Sequence, residues 1–384
     1  MKKRKTFELP DPFDEEDSNE ESKQKAKPSN NPFDIFFDQK ITAPKNYLLK
    51  LNNTINRKGR EKKFKKEIDE ELLETTSKEL EEYILAEKRE SIEEDKKLIE
   101  ECIDELKTFI QKQILKEYTC NWDLQCFGSF SYGLWERGCD VDLNLYTEKE
   151  IEGFFQKMQD WLLREHQISS QIVNTARIPL IKFKFKGYSF DVTHQIGSIA
   201  DHNIKIKSWI QSILKKNECL APTIKIIKKW SKSKGLNNPQ KNSLPSLAYL
   251  VMLVCVFEEN ESEISTYNKK NFYWGCSHLL LSFFKKYTES MTGSMIRTKD
   301  GVGTDSIKLF QEISDKQDFN RIGFGNTLFI QDPFLLSINL GRFVTSSSYY
   351  QQILPEFKET TEMLFSREEE NKGKKLKKIL GMIK

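Results

Sequence analysis

The sequence predicts a small α/β unit set between helical flanks. Two observations carry this. Short strand patterns cluster between residues 119 and 203, and helical spacing dominates from 204 to 366. A third, a Gly-Ser turn followed by two aspartates two residues apart, gives the α/β unit its chemistry.

The elements follow in order. Residues 1–70 form a tail: Pro10, Pro12, Pro28, Pro32 and Pro44 punctuate it, and Asp14 to Glu21 is acidic with few apolar neighbours. Two echoes, Pro12-Phe13-Asp14 and Pro32-Phe33-Asp34, read either as scattered aromatics of a disordered chain or as a pair of docking motifs that order on a partner. The stretch 57–66 turns basic, a patch suited to an RNA backbone or to targeting. An N-terminal helical segment, 71–118, follows. In it Ile99, Cys102, Ile103, Leu106, Phe109, Ile110 and Ile114 recur at steps of three and four and mark one buried face. The α/β unit, 119–203, opens with a strand at Leu124 to Phe127, a Gly/Ser turn and a strand at Val141 to Tyr146. A helix over Ile151 to Glu165 comes next. Ile178 to Phe185 alternates apolar and basic residues as a strand does, with Lys182, Lys184 and Lys186 on one face. A short strand ends near Val192. The helical domain, 204–366, reads as helices at 204–216, 221–234, 245–257, 276–288, 306–315 and 346–366. A basic tail, 367–384, closes the chain, its six lysines interleaved with Leu376, Ile379, Leu380 and Ile383.

Composition excludes several classes. The 384 residues carry 61 Lys+Arg against 58 Asp+Glu, a formal charge of +3, so any nucleic-acid contact must come from the placement of charge. The longest apolar run, Leu247 to Phe257, falls well short of the ~20 residues of a membrane helix. The N-terminus, Lys2-Lys3-Arg4-Lys5, turns acidic without an apolar stretch, so no signal peptide is expected. Seven cysteines form no C-x-x-C pair, which points to a reducing compartment and away from zinc or disulfides. A cytoplasmic location is expected, with the nucleus as the alternative.

The chemistry centres on Phe127-Gly128-Ser129-Phe130-Ser131-Tyr132-Gly133-Leu134, followed by Gly138-Cys139-Asp140-Val141-Asp142-Leu143. Residues two apart in a strand share a face. Asp140 and Asp142 therefore project together, while Val141 and Leu143 turn to the core. Two carboxylates so placed can hold hard divalent cations. The upstream turn exposes backbone N–H groups to an anion such as a triphosphate, and Gly128 permits close approach. Asp191, ending the strand Tyr188 to Val192, is the third carboxylate.

In this order and spacing the chain resembles the DNA-polymerase-β-like nucleotidyltransferases, in the branch of terminal uridylyltransferases and cytoplasmic-type poly(A) polymerases. The resemblance runs from about Leu98 to Phe365. It implies a small mixed-sheet catalytic domain packed against a poly(A)-polymerase-associated helical domain, with a cleft between them. It implies that Asp140 and Asp142 bind two Mg²⁺ (or Mn²⁺) ions, that Asp191 helps bind the one activating an RNA 3′-hydroxyl, and that Ser129 holds terminal phosphates. The helical region supports the same branch through Lys228-Lys229-Trp230-Ser231-Lys232, Leu244-Pro245-Ser246-Leu247, and Asp332-Pro333-Phe334 with Asn339, Gly341 and Arg342. Lys228 and Lys232 then match a triphosphate-binding pair, Asn203 a ribose contact and Ser246 a phosphate contact.

Two departures bear on the base. Leu247 stands where an aromatic usually stacks, although Tyr249 lies two residues on, and Ile338 stands where some uridylyltransferases carry a histidine. Asp332, directly or through water, is then left to read the base edge. The spacing from Asp332 to Asn339 leans slightly to UTP over ATP. The implied activity is template-independent addition of UMP or AMP to RNA 3′ ends. The implied partners are RNA, NTP and a protein of a small-RNA or RNA-decay pathway docked on the N-terminal tail. Two alternatives stand: a catalytically silent RNA-binding or scaffold subunit, and a nucleotidyltransferase with another acceptor, as in 2′-5′ oligoadenylate synthesis. The three acids count against the first, the helical-domain motifs against the second.

Overall fold

The computed structural model describes residues 67–383 apart from 90–91, 175–177, 198–200, 290–294, 297–327, 336–337, 369–370 and 372. The docking motifs, the basic stretch 57–66 and the expected helix at 306–315 lie outside them. The chain divides into units Met1–Thr54 and Ile55–Lys384, and the described residues all belong to the second.

The α/β unit, or palm, is a five-stranded sheet in the order β1-β2-β5-β4-β3. Its strands are β1 (Trp122–Phe127), β2 (Val141–Thr147), β3 (Ser170–Val173), β4 (Leu180–Phe185) and β5 (Tyr188–Ile196). β2 and β5 pair in parallel and the other pairs are antiparallel, so the sheet is mixed. Alternation in β2 and β4 sends Val141, Leu143, Leu145, Ile181, Phe183 and Phe185 into one core. Two helices supply its other wall. α2 (Ile92–Phe109, continuing through a π-helical turn, Ile110–Ile114) buries Ile99, Cys102, Leu106 and Phe109, and α3 (Phe154–His166) buries Phe154, Met158 and Leu162. The polar face of the sheet is left to Asp142, Asp191 and Lys182.

A second core holds the helical unit: α4 (Asp201–Lys216), α5 (Leu220–Ser233), α6 (Ser246–Lys270), α7 (Phe272–Glu289) and α8 (Leu354–Phe365). Trp230 of α5 is its hub, with ring centroids 4.8 Å from both Phe284 and Phe357 and its indole N–H donating to Thr360 Oγ1 at 2.8 Å. A two-stranded parallel pair, β6 (Met295–Ile296) and β7 (Phe329–Ile330), lies against it.

The structure refines two expectations and corrects a third. The helical segment 71–118 is two helices in two cores: α1 (Glu70–Arg89) packs Leu72, Leu73 and Leu80 on the helical unit, whereas α2 packs on the palm. The helix expected at 245–257 runs on to Lys270, with non-helical backbone at Asn260, because Ile264 is again buried beyond the polar run. The stretch 367–384 is a docked helix rather than a tail over its described residues. α9 (Lys375–Ile379) and the residue after it bury Leu376, Ile379 and Leu380 in the helical core, Lys375 Nζ donates to Leu364 O, and Leu376 N–H donates to Glu79 of α1 at 2.6 Å.

Candidate active site

Register builds the acid pair. Asp142 of β2 faces Asp191 of β5 directly in the parallel ladder, and Phe127, the last residue of β1, faces Asp142 on the other side. Asp140 stands exposed one residue before β2. The chain must therefore turn sharply between Phe127 and Gly128. Gly128 has φ +67°, and a Cβ there would stand 2.1 Å from Asp142 Oδ2. Only glycine leaves the carboxylate its place. Gly128–Ser131 then forms one helical turn carrying Ser129, closed by Ser131 Oγ donating to Gly128 O at 3.1 Å.

The loop to Asp140 is held by a residue the motif does not contain. Trp135 is buried, and its indole N–H donates to Cys139 O at 2.9 Å, one residue before Asp140. Two lysines of α5 reach the same loop. Lys228 Nζ donates to Leu134 O at 3.1 Å, and Lys232 Nζ to Cys139 Sγ at 3.0 Å. Lys228 is only 4% exposed, and burial pushes its ammonium down. Lys232 is exposed.

The acids repel one another. Burial first, then Asp191 and Asp140, push Asp142 up to about 7. Burial likewise raises Asp191, against the opposing pull of Lys182, whose Nζ donates to Asp191 Oδ2. Among the described residues no three His, Cys, Asp or Glu side chains stand as a ready ligand cage. The fit to divalent cations therefore lies in donor chemistry and register: three hard carboxylates, two of them directly paired, whose ionisation wants a counter-charge.

The remaining expected residues sit in or beside the helical unit. Asn203 of α4 donates through Nδ2 to Tyr146 OH of β2 at 3.2 Å, tying α4 to the palm. Trp209 of the same helix stands edge-on to Phe334, ring centroids 6.3 Å apart. Ser246, first in α6, exchanges hydrogen bonds with Asn237, a partner absent from the expected set. Leu247 and Ile338 are half-buried against the helical core. Asp332 is 2% exposed, and its Oδ1 accepts the backbone N–H groups of Phe334 and Leu335, both at 2.9 Å. Tyr249 cannot stack on a base: it is fully buried, and its hydroxyl donates to Leu236 O at 2.8 Å.

Comparison with known proteins finds similar sequences and a similar fold. Residues 62–196 match the family model described as poly(A) RNA polymerase, mitochondrial-like, central palm domain. Terminal uridylyltransferase cid1 of Schizosaccharomyces pombe is 25% identical over 297 residues, covering 66% of this chain and 71% of that protein. Nuclear poly(A) polymerase 3 of Arabidopsis thaliana is 25% identical over 182 residues, covering 40% of this chain and 36% of that protein. Among solved structures, Cid1 aligns with TM-score 0.54 at 20% identity over 74% of this chain and 92% of its own. The polymerase core of TRAMP, an RNA surveillance complex, aligns with TM-score 0.59 at 19% identity over 85% and 98%. These structural likenesses carry the fold alone. In fold, palm and helical unit together resemble the polymerase cores of these nucleotidyltransferases. The chain's similarity lies with a terminal uridylyltransferase and a poly(A) polymerase.

Proposed function

We propose that this chain is a template-independent nucleotidyltransferase that adds UMP, in preference to AMP, to RNA 3′ ends. The observation that carries the reading is the direct pairing of Asp142 with Asp191, beneath a glycine turn that leaves room for nothing larger.

In the reaction the RNA 3′-hydroxyl attacks the α-phosphate of the NTP. A bond forms between O3′ and the α-phosphorus, and the bond to the β-phosphate breaks, releasing pyrophosphate. Asp140, Asp142 and Asp191 would hold Mg²⁺ or Mn²⁺, which when bound lowers the pKa of the hydroxyl and offsets charge on pyrophosphate. The turn at Gly128 and Ser129 holds the terminal phosphates. Lys228 and Lys232, already converged on the loop before Asp140, offset the triphosphate charge from the other side. Asn203 contacts the ribose and Ser246 a phosphate.

Base choice falls to Leu247, Asp332 and Ile338. An apolar face without a π-surface rejects a wrong base poorly, so discrimination between UTP and ATP is modest. The protein works in the cytoplasm, with the nucleus as the alternative, alongside a protein partner docked on residues 1–70. This reading is supported by the relatives, which include one uridylyltransferase and one nuclear poly(A) polymerase. Incubating the purified chain with RNA, Mg²⁺ and each single NTP tests it. UMP should be added fastest, and Asp142→Ala or Asp140→Ala should abolish addition while the protein stays folded. Addition by both variants at the wild-type rate would remove the acids from the chemistry.

A further inference from the structure

Lys182 belongs to none of the motifs that mark the site, yet it stands in the site's central row. Phe127 of β1, Asp142 of β2, Asp191 of β5 and Lys182 of β4 are successive cross-strand partners. Directly opposed residues hold their Cβ atoms about 4.5–5.5 Å apart, so register delivers the lysine to the acid. Lys184, two residues on and on the same face, opposes Ser189 instead and is exposed.

The contact is an ion pair, Lys182 Nζ donating to Asp191 Oδ2, with the acid mostly buried and the lysine half-exposed. Its reach extends past one partner. Asp191 is in turn the direct ladder partner of Asp142, so the ammonium sits beside the paired acids and not at one isolated carboxylate. A divalent cation approaching Asp191 meets an oxygen already engaged and a positive charge beside it. Like charges at such range repel far more strongly near a protein surface than in bulk water.

We infer that Lys182 is a positioning residue that holds the Asp191 carboxylate toward Asp142 and competes with the divalent cation for it. Cation loading is therefore weak on the protein alone and tightens once a triphosphate adds its own oxygens. This rests on the reading of the three acids as cation ligands.

Mn²⁺ binding to the full chain, followed by electron paramagnetic resonance without RNA or NTP, tests it apart from activity. Lys182→Met should bind Mn²⁺ at least about tenfold more tightly than wild type, ~1.4 kcal/mol. Lys182→Arg, which keeps the charge, should stay near wild type. Lys184→Met should stay within about twofold, as solvent screens an exposed charge. Lys182→Gln replaces Lys182→Met in the same titration if the methionine variant does not fold. Mn²⁺ affinity unchanged or weakened in the neutral variant, while Asp142→Asn loses Mn²⁺, overturns the inference and leaves the acids' role intact. Asp142→Asn binding Mn²⁺ as wild type does overturns the reading of the acids, and this inference with it.

Discussion

Gly128 and Asp142 share one space: a Cβ on the first would stand 2.1 Å from a carboxylate oxygen of the second. The glycine also holds φ +67°, a conformation that costs any other side chain strain. Gly128→Ala should therefore push Asp142 off its ladder position. A misplacement of about 1 Å can cost ~10²-fold in rate, and single-turnover kinetics should read a loss of that order. A wild-type rate would mean that the turn relaxes without moving the acid.

Asp142 also sets a pH dependence for the cation-free protein. With its carboxyl held up to about 7, the folded state binds this proton more tightly than the unfolded chain. The stability it contributes is full below the ordinary carboxylate range and is lost as pH rises through about 7. In EDTA the melting temperature should fall across that window, and Asp142→Asn should flatten the fall. Added Mg²⁺ should raise the melting temperature of wild type most above that window. Parallel wild-type and variant curves would contradict this.

The two lysines of α5 should separate kinetically. Lys232 is exposed and donates to Cys139 Sγ on the loop, so Lys232→Ala should raise the KM for NTP with little change in kcat. A charge-assisted bond is worth about 1.5–3 kcal/mol, and solvent exposure places this one at the low end. Lys228 is buried and also holds Leu134 O, so Lys228→Ala should lower kcat as well and reduce the melting temperature. Identical kinetic effects from both would argue against the clamp.

How much of this the sequence disclosed depends on the range of the interaction. Period-two alternation over 178–185 and the Asp-x-Asp spacing are local, and both elements lie where those patterns put them. Pairing is not local. That Lys182 opposes Asp191 follows from the β4–β5 register, which alternation alone leaves open. β3, β6 and β7 are too short to show a period. Lysine content misleads at the C-terminus, where Leu376, Ile379 and Leu380 form the buried stripe and Lys375 itself is buried. Tyr249 is ambiguous for a related reason. An aromatic near a candidate pocket and an aromatic in a core look alike until the backbone places them.

Docking of α9 carries its own prediction. Leu376 sits 2% exposed against the helical core, and Leu376→Ala should cost about 2–5 kcal/mol, read as a lowered denaturant midpoint. Truncation after residue 374 should do the same. The salt dependence of RNA binding should follow residues 57–66, because each phosphate they neutralise releases counterion. A truncated chain of unchanged stability would return this segment to the status of a tail.

Transfer to an RNA 3′-hydroxyl is the step on which every assigned role depends. Its sharpest test is 5′-labelled RNA of one sequence prepared with a free 3′-hydroxyl, a 3′-phosphate or a 3′-deoxy end. Each is incubated with the protein, Mg²⁺ and UTP, then resolved on a sequencing gel. Stepwise extension of the free end alone is expected, with none of the blocked ends and none with Asp142→Ala. Extension of the 3′-deoxy RNA, or no extension of any RNA with any of the four NTPs, would contradict it.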